Sequence, residues 1–178
     1  MTIYKFIITI CNIVEYLNNF SDVLAPDLNA ICNILEVMYK EGNSYDNFNS
    51  DCNVLMNIII GLSRTMIRDY ELSRGFKHEP ELSADREFCE AEISIAEDPN
   101  EDIDNRKMAW IVSVMLINVY RTMKYCEHKK ALFDTLKNCS KLRNAGVASS
   151  NEVRRHLNLI GEMAQHSPRT RKSAMKKR

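Results

Sequence analysis

The chain has 178 residues, with 24 Lys/Arg balanced by 24 Asp/Glu, so it is electrically neutral overall. Hydrophobic residues make up 45%, which excludes a disordered body and suits one domain able to bury a core without disulfide staples. Five Gly and four Pro are few, and this argues for long helices joined by short loops.

The neutrality conceals a split. Residues 153–178 carry eight Lys/Arg against the single acid Glu162, leaving 16 basic against 23 acidic residues elsewhere. An acidic body with a basic end is the pattern of a chain whose terminus meets an anionic partner. Asn and Ile are plentiful, a bias of AT-rich coding that points toward a viral or parasitic source.

Ile3, Phe6, Ile7, Ile10, Ile13, Val14 and Leu17 recur at helical spacing, with Lys5, Thr9, Asn12 and Glu15 between them. This predicts an amphipathic helix over about 3–20. Lys5 ahead of FIITICNIV, with Val23-Leu24-Ala25 downstream, has the outline of a leader peptide, but Glu15, Asn18 and Asn19 interrupt it and Pro26 would follow the cut. An amphipathic helix is the better reading. Ser21, Asp22 and Pro26 mark a turn and a new start. Leu28, Ile31, Leu35 and Met38 then give the stripe of a second helix reaching about Lys40.

Residues 41–50, EGNSYDNFNS, read as a polar loop. Asp51 is placed to cap a third helix, about 52–73, along which Asn53, Asn57, Gly61 and Arg64 or Arg68 form a narrow polar line. Gly61 inside a helix costs about 1 kcal/mol relative to Ala, and a close helix crossing there would explain it. Gly75 to Pro80 breaks the pattern, and Ser83 opens a short helix over about 83–96.

The stretch from Met108 to Met123, MAWIVSVMLINVYRTM, is the organising element. Only Ser113 and Asn118 are polar between Met108 and Tyr120, and no Gly or Pro interrupts. Four β-branched residues (Ile111, Val112, Val114, Ile117) raise a buried strand, but the pattern outruns the four to eight residues usual for one. A helix apolar all round is a buried helix, and this one is too short for a bilayer, which needs roughly 20 apolar residues. A central helix over about 104–126 follows, with Asp104 as its cap and Trp110, the single tryptophan, as a core anchor. A sixth helix is predicted over about 128–143. Ser149 with Glu152 three residues on is a capping box that opens a last helix over about 150–165, ended by Pro168. The expectation is an all-α bundle of about seven helices packed around the buried 104–126 helix. It would form one domain over 1–166 with a flexible basic tail at 167–178.

Candidate chemistry is sparse. Asp98-Pro-Asn-Glu-Asp102-Ile-Asp104 imitates the start of a calcium loop, but Ile103 stands where the sharp turn needs Gly and Ala109 where a bidentate Glu belongs. Cys126, His128 and Cys139, with His78 and Cys89, lack finger spacing, so no structural zinc is expected. The six cysteines are scattered singly, as suits buried, reduced thiols in a cytoplasmic or nuclear protein. No nucleophile elbow, phosphate-cradling Gly-rich loop or dinucleotide fingerprint is present. The acids at 79, 81, 85, 87, 90 and 92 are too dense and too exposed in pattern for a working carboxylate pair. The chain is expected not to be an enzyme and to need no cofactor or metal.

The basic end has a physical direction. Arg154, Arg155, Arg169, Arg171, Lys172, Lys176, Lys177 and Arg178 would neutralise phosphates and release counterions, binding nucleic acid in a salt-dependent, sequence-independent way. No aromatic residue lies in 153–178, so stacking on single strands is not offered. The same charges suit an import receptor or anionic lipid, and Ser167-Pro168 beside Arg169 suits a phosphorylation switch. The expected function is a helical binding or structural protein, with nucleic acid at the basic end and protein partners, or itself, at the body.

A buried helix wrapped by amphipathic ones also resembles, in layout, the Bcl-2 family and its divergent viral members. That resemblance implies a groove for helical death-motif peptides and a role in host apoptosis or signalling. The family's Asn-Trp-Gly-Arg signature is absent, Ala109-Trp110-Ile111 being the nearest approach, and the chain ends in charge where an apolar anchor would stand.

Overall fold

A computed structural model describes residues 2–20, 23–42, 50–55, 57–62, 83–122 and 127–170. The described residues form helices α1 (Thr2–Phe20), α2 (Ala25–Glu41), α3 (helical at 50–55 and 57–62), α4 (Ser83–Glu97), α5 (Ile103–Thr122), α6 (Glu127–Lys141) and α7 (Ser150–His166). A 3-10 turn (Leu142–Asn144) follows α6, and no strand occurs among the described residues. The all-α class read from periodicity is the one observed. Residues 63–82, which include the end expected for the third helix, lie outside the described residues, as does the expected end of the central helix at 123–126.

The chain divides into two compact units, Met1–Leu62 with Val147–Arg178, and Ser63–Gly146. In the first unit α7 packs against both α1 and α2. Helix α1 is enclosed to a degree that its sequence understates. Phe6 to Cys11 are buried without a break, so more than one full turn faces no water. Thr9, which falls between the apolar positions of the stripe, is buried, and its hydroxyl donates to the Lys5 carbonyl at 2.8 Å and needs no solvent. Leu28, Ile31, Leu35 and Met38 of α2, Cys52, Leu55 and Ile59 of α3, and Val153, Leu157 and Ile160 of α7 are buried in the same unit. Fully burying one such Ile or Leu stabilises by about 1.5–3 kcal/mol.

Two expectations for α3 change. Residue 50 is already helical, so Asp51 lies inside the helix and does not cap it. A Cβ on Gly61 would meet nothing within 4 Å among the described residues, so no close crossing with a described helix explains that glycine.

The second unit is built on an α4–α5 hairpin, with α6 against α5. Its turn is capped by Asp102 rather than Asp104. The Asn105 amide donates to the Asp102 carboxylate at 3.3 Å, and the Arg106 amide to its carbonyl at 2.9 Å. The helix thus starts at Ile103, two residues earlier than a cap at Asp104 would set it. Asp98 accepts from the Asn100 amide at 2.9 Å, so its carboxylate closes an Asx turn.

Met108, Ala109, Ile111, Val112 and Ser113 of α5 are buried, and Ser113 donates to the Ala109 carbonyl at 2.6 Å. Trp110 is 41% exposed, which corrects its assignment as a core anchor. The helix turns about 100° per residue, so Trp110 points away from the face that Ala109 and Ile111 flank. Ile103, seven residues earlier and therefore on the same line, is 58% exposed.

One ion pair lies deep in this unit. Arg143, in the 3-10 turn, donates to both carboxylate oxygens of Glu92 on α4 at 2.7 and 2.8 Å, with side chains only 6% and 3% exposed. The planar guanidinium suits this two-point match.

Candidate nucleic-acid interface

Helix α7 positions the start of the basic end. The Ser149 hydroxyl accepts from the Glu152 amide at 3.2 Å, as the capping box requires. Val153, Leu157, Ile160 and Ala164 are buried, so the i, i+3/i+4 stripe fixes which face turns outward.

That stripe separates the two neighbouring arginines. Arg154 reaches α2, where it donates to both oxygens of Glu36 at 2.6 and 3.2 Å. Its guanidinium also lies over the Tyr39 ring at 4.6 Å. Tyr39 stacks in turn on Tyr4 of α1, ring centres 5.6 Å apart, and its hydroxyl shares a 2.5 Å hydrogen bond with Ser150. Tyr4, Tyr39, Glu36, Arg154 and Ser150 thus tie three helices at one level. The hydrogen bond to Glu36 raises the Arg154 pKa against the opposing effect of burial. The partly exposed cation is thus matched by an anion on a neighbouring helix.

Arg155, one residue on and 100° around the helix, is exposed, as is Arg169. About 16 Å of helix separates Arg155 from the end of α7, at 1.5 Å per residue. Arg155 thus lies on the helix and Arg169 three residues beyond its last residue. Arg171, Lys172, Lys176, Lys177 and Arg178 lie outside the described residues. His156, between these positions, is half-buried, and burial first, then the Arg155 charge, lowers its pKa, against smaller raising effects of Glu15 and Glu152.

The root of the basic end is anchored, where a loose segment was expected. Ser167 is the C-cap of α7 and donates to the Met163 carbonyl at 2.7 Å. Pro168 is buried, and its carbonyl accepts from the Ala25 amide at 2.8 Å. That amide is the first of α2, whose cap residue Leu24 makes no side-chain hydrogen bond. A helix start must find partners for its orphan amides, and the Pro168 carbonyl supplies one from across the unit. Sequence inspection missed this contact because neither residue's type announces it.

Among the described residues no group of three or more His, Cys, Asp or Glu could hold an ion. Cys139 is buried, and burial pushes its thiol up to about 12. Burial likewise raises Cys11 and Cys32 above the usual thiol range, so all three stay protonated at neutral pH and serve as packing groups. His78 and Cys126, and the side chain of His128, lie outside the described residues. No helix among the described residues is long and apolar enough to cross a membrane. Comparison with protein-family models, with curated proteins and with solved structures finds no match to this chain.

Proposed function

We propose that the protein is a non-enzymatic helical binding protein that contacts the phosphate backbone of nucleic acid through its basic C-terminal segment and meets protein partners, or a second copy, through its helical body. The observation that carries this reading is the charge split. Eight Lys/Arg and one acid occupy 153–178; Arg155 on α7 and Arg169 just beyond its end are both exposed. Such a set of cations releases counterions when it meets phosphates, which makes binding steeply salt-dependent and indifferent to sequence. With Arg154 held by Glu36, seven cations remain to engage. Filter binding of duplex and single-stranded nucleic acid over a salt series tests the reading. A log–log slope up to about −6 on duplex supports it, from roughly −0.9 per phosphate neutralised. Absent or salt-insensitive binding refutes it.

The exposed Trp110 and Ile103 on one line of α5 support a second reading, a protein-binding face of the kind the Bcl-2 resemblance implies. Helical death-motif peptides titrated against the chain, followed by Trp110 emission, test it. No change at micromolar peptide removes it.

A further inference from the structure

We propose that Ser167 is a phosphoacceptor for a proline-directed protein kinase, and that its phosphate ester opens the strap tying the end of α7 to the start of α2. The four prolines, Pro26, Pro80, Pro99 and Pro168, follow Ala25, Glu79, Asp98 and Ser167. Ser167 is thus the one hydroxyl residue in the chain that precedes a proline, and cations stand at Arg169, Arg171 and Lys172 beyond it. Its backbone is already extended, φ −84 and ψ 152, as a following proline favours. A kinase groove takes its substrate in that conformation. Ser167 is half-buried, and the strap that must lift to present it includes the Ser167 bond to Met163, the backbone hydrogen bond from Ala25 to Pro168 and the buried Pro168 ring. Local openings of this size are among the cheapest a fold makes.

The chemistry is a phosphoryl transfer from a nucleoside triphosphate. The Ser167 oxygen bonds to the γ-phosphorus, the bond to the β–γ bridging oxygen breaks, and nucleoside diphosphate leaves. The hydroxyl proton passes to the base of the kinase. The product has lost the only hydrogen that Ser167 donates to Met163. It also places up to two negative charges at the C-terminal end of α7, beside the last-turn carbonyls, where the helix dipole is already negative. Both effects push residue 167 away from the helix end. Pro168 must move with it, and the Ala25 amide loses the 2.8 Å partner that caps α2. This proposal stands whether or not the basic segment binds nucleic acid.

The test treats the full-length chain with a proline-directed Ser/Thr kinase and ATP. The phosphate is located by mass spectrometry, and amide exchange is followed at Ala25, with Leu157 in mid-α7 as a reference. The expected result is phosphate on Ser167, none in Ser167→Ala, and exchange at Ala25 at least tenfold faster while Leu157 is unchanged. Ser167→Glu, which needs no kinase, should reproduce the exchange change, and Ser167→Ala should not. No phosphate on Ser167, phosphate there with Ala25 exchange unchanged, or equal acceleration at Leu157 would each overturn the proposal.

Discussion

Arg154 of α7 and Glu36 of α2, 118 residues apart in the chain, share two hydrogen bonds of 2.6 and 3.2 Å. Arg155 beside it is exposed. Adjacent arginines of the same basic segment therefore do different work, one holding helices together and the other facing solvent. Replacing each should separate stability from phosphate contact.

Arg154→Ala removes the ion pair and the cation over Tyr39. With both partners partly exposed, the cost should be about 1–2 kcal/mol, a surface pair adding up to about 1 and the ring contact a similar amount. Urea melts measure it. The salt slope of nucleic-acid binding should stay unchanged. Arg155→Ala and Arg169→Ala should behave oppositely, with stability within about 0.5 kcal/mol of the parent and the slope shallower by about one each. Glu36→Gln releases the Arg154 charge and should steepen the slope.

The buried pair of Arg143 and Glu92 sets a larger cost. Removing one partner leaves a charge without its mate in the protein interior, which destabilises by about 3–5 kcal/mol. Arg143→Met should show this in urea unfolding. The double variant Glu92→Leu with Arg143→Met should recover most of the loss, since apolar replacement of both partners is often neutral. A double variant no better than the single one would mean that the pair is not a coupled unit.

Trp110 should respond as a surface residue. Trp110→Ala is expected to cost about 1 kcal/mol, well under the 3–5 usual for a core Trp. Ile111→Ala next to it should cost about 2–5 kcal/mol. In the native protein, acrylamide should quench Trp110 emission readily. Quenching only after unfolding would contradict its 41% exposure.

His156 gives a pH dependence of definite sign. Its folded pKa lies below the unfolded value of 6.5, chiefly because burial disfavours the imidazolium. The unfolded chain therefore takes up the proton first as pH falls. The stability tied to the neutral ring is fully present above 6.5, and declines as pH drops from there through the folded pKa. Urea midpoints across that range should fall with pH, and His156→Gln should flatten that part of the curve.

The helices were legible in the sequence because their signals are local. The stripe Val153, Leu157, Ile160, Ala164 and the Ser149–Glu152 cap lie within one helix, and periodicity and caps act over three to seven residues. The cap of α5 fell at Asp102, two positions before the expected Asp104, in an acidic run where nearby carboxylates can each cap and only backbone geometry chooses. The basic end was legible as composition, since charge needs no fold to be counted.

The sequence alone determined that this chain is helical, where most of its helices start and stop, and that its cations gather at one end. Tertiary structure alone decided that Arg154 is matched by Glu36, that Arg143 finds Glu92 at a separation of 51 residues, that Pro168 caps α2, and that Trp110 faces out. Each of these depends on which faces of distant helices meet. That choice is made by packing the whole apolar surface at once, and no short window of residues contains it.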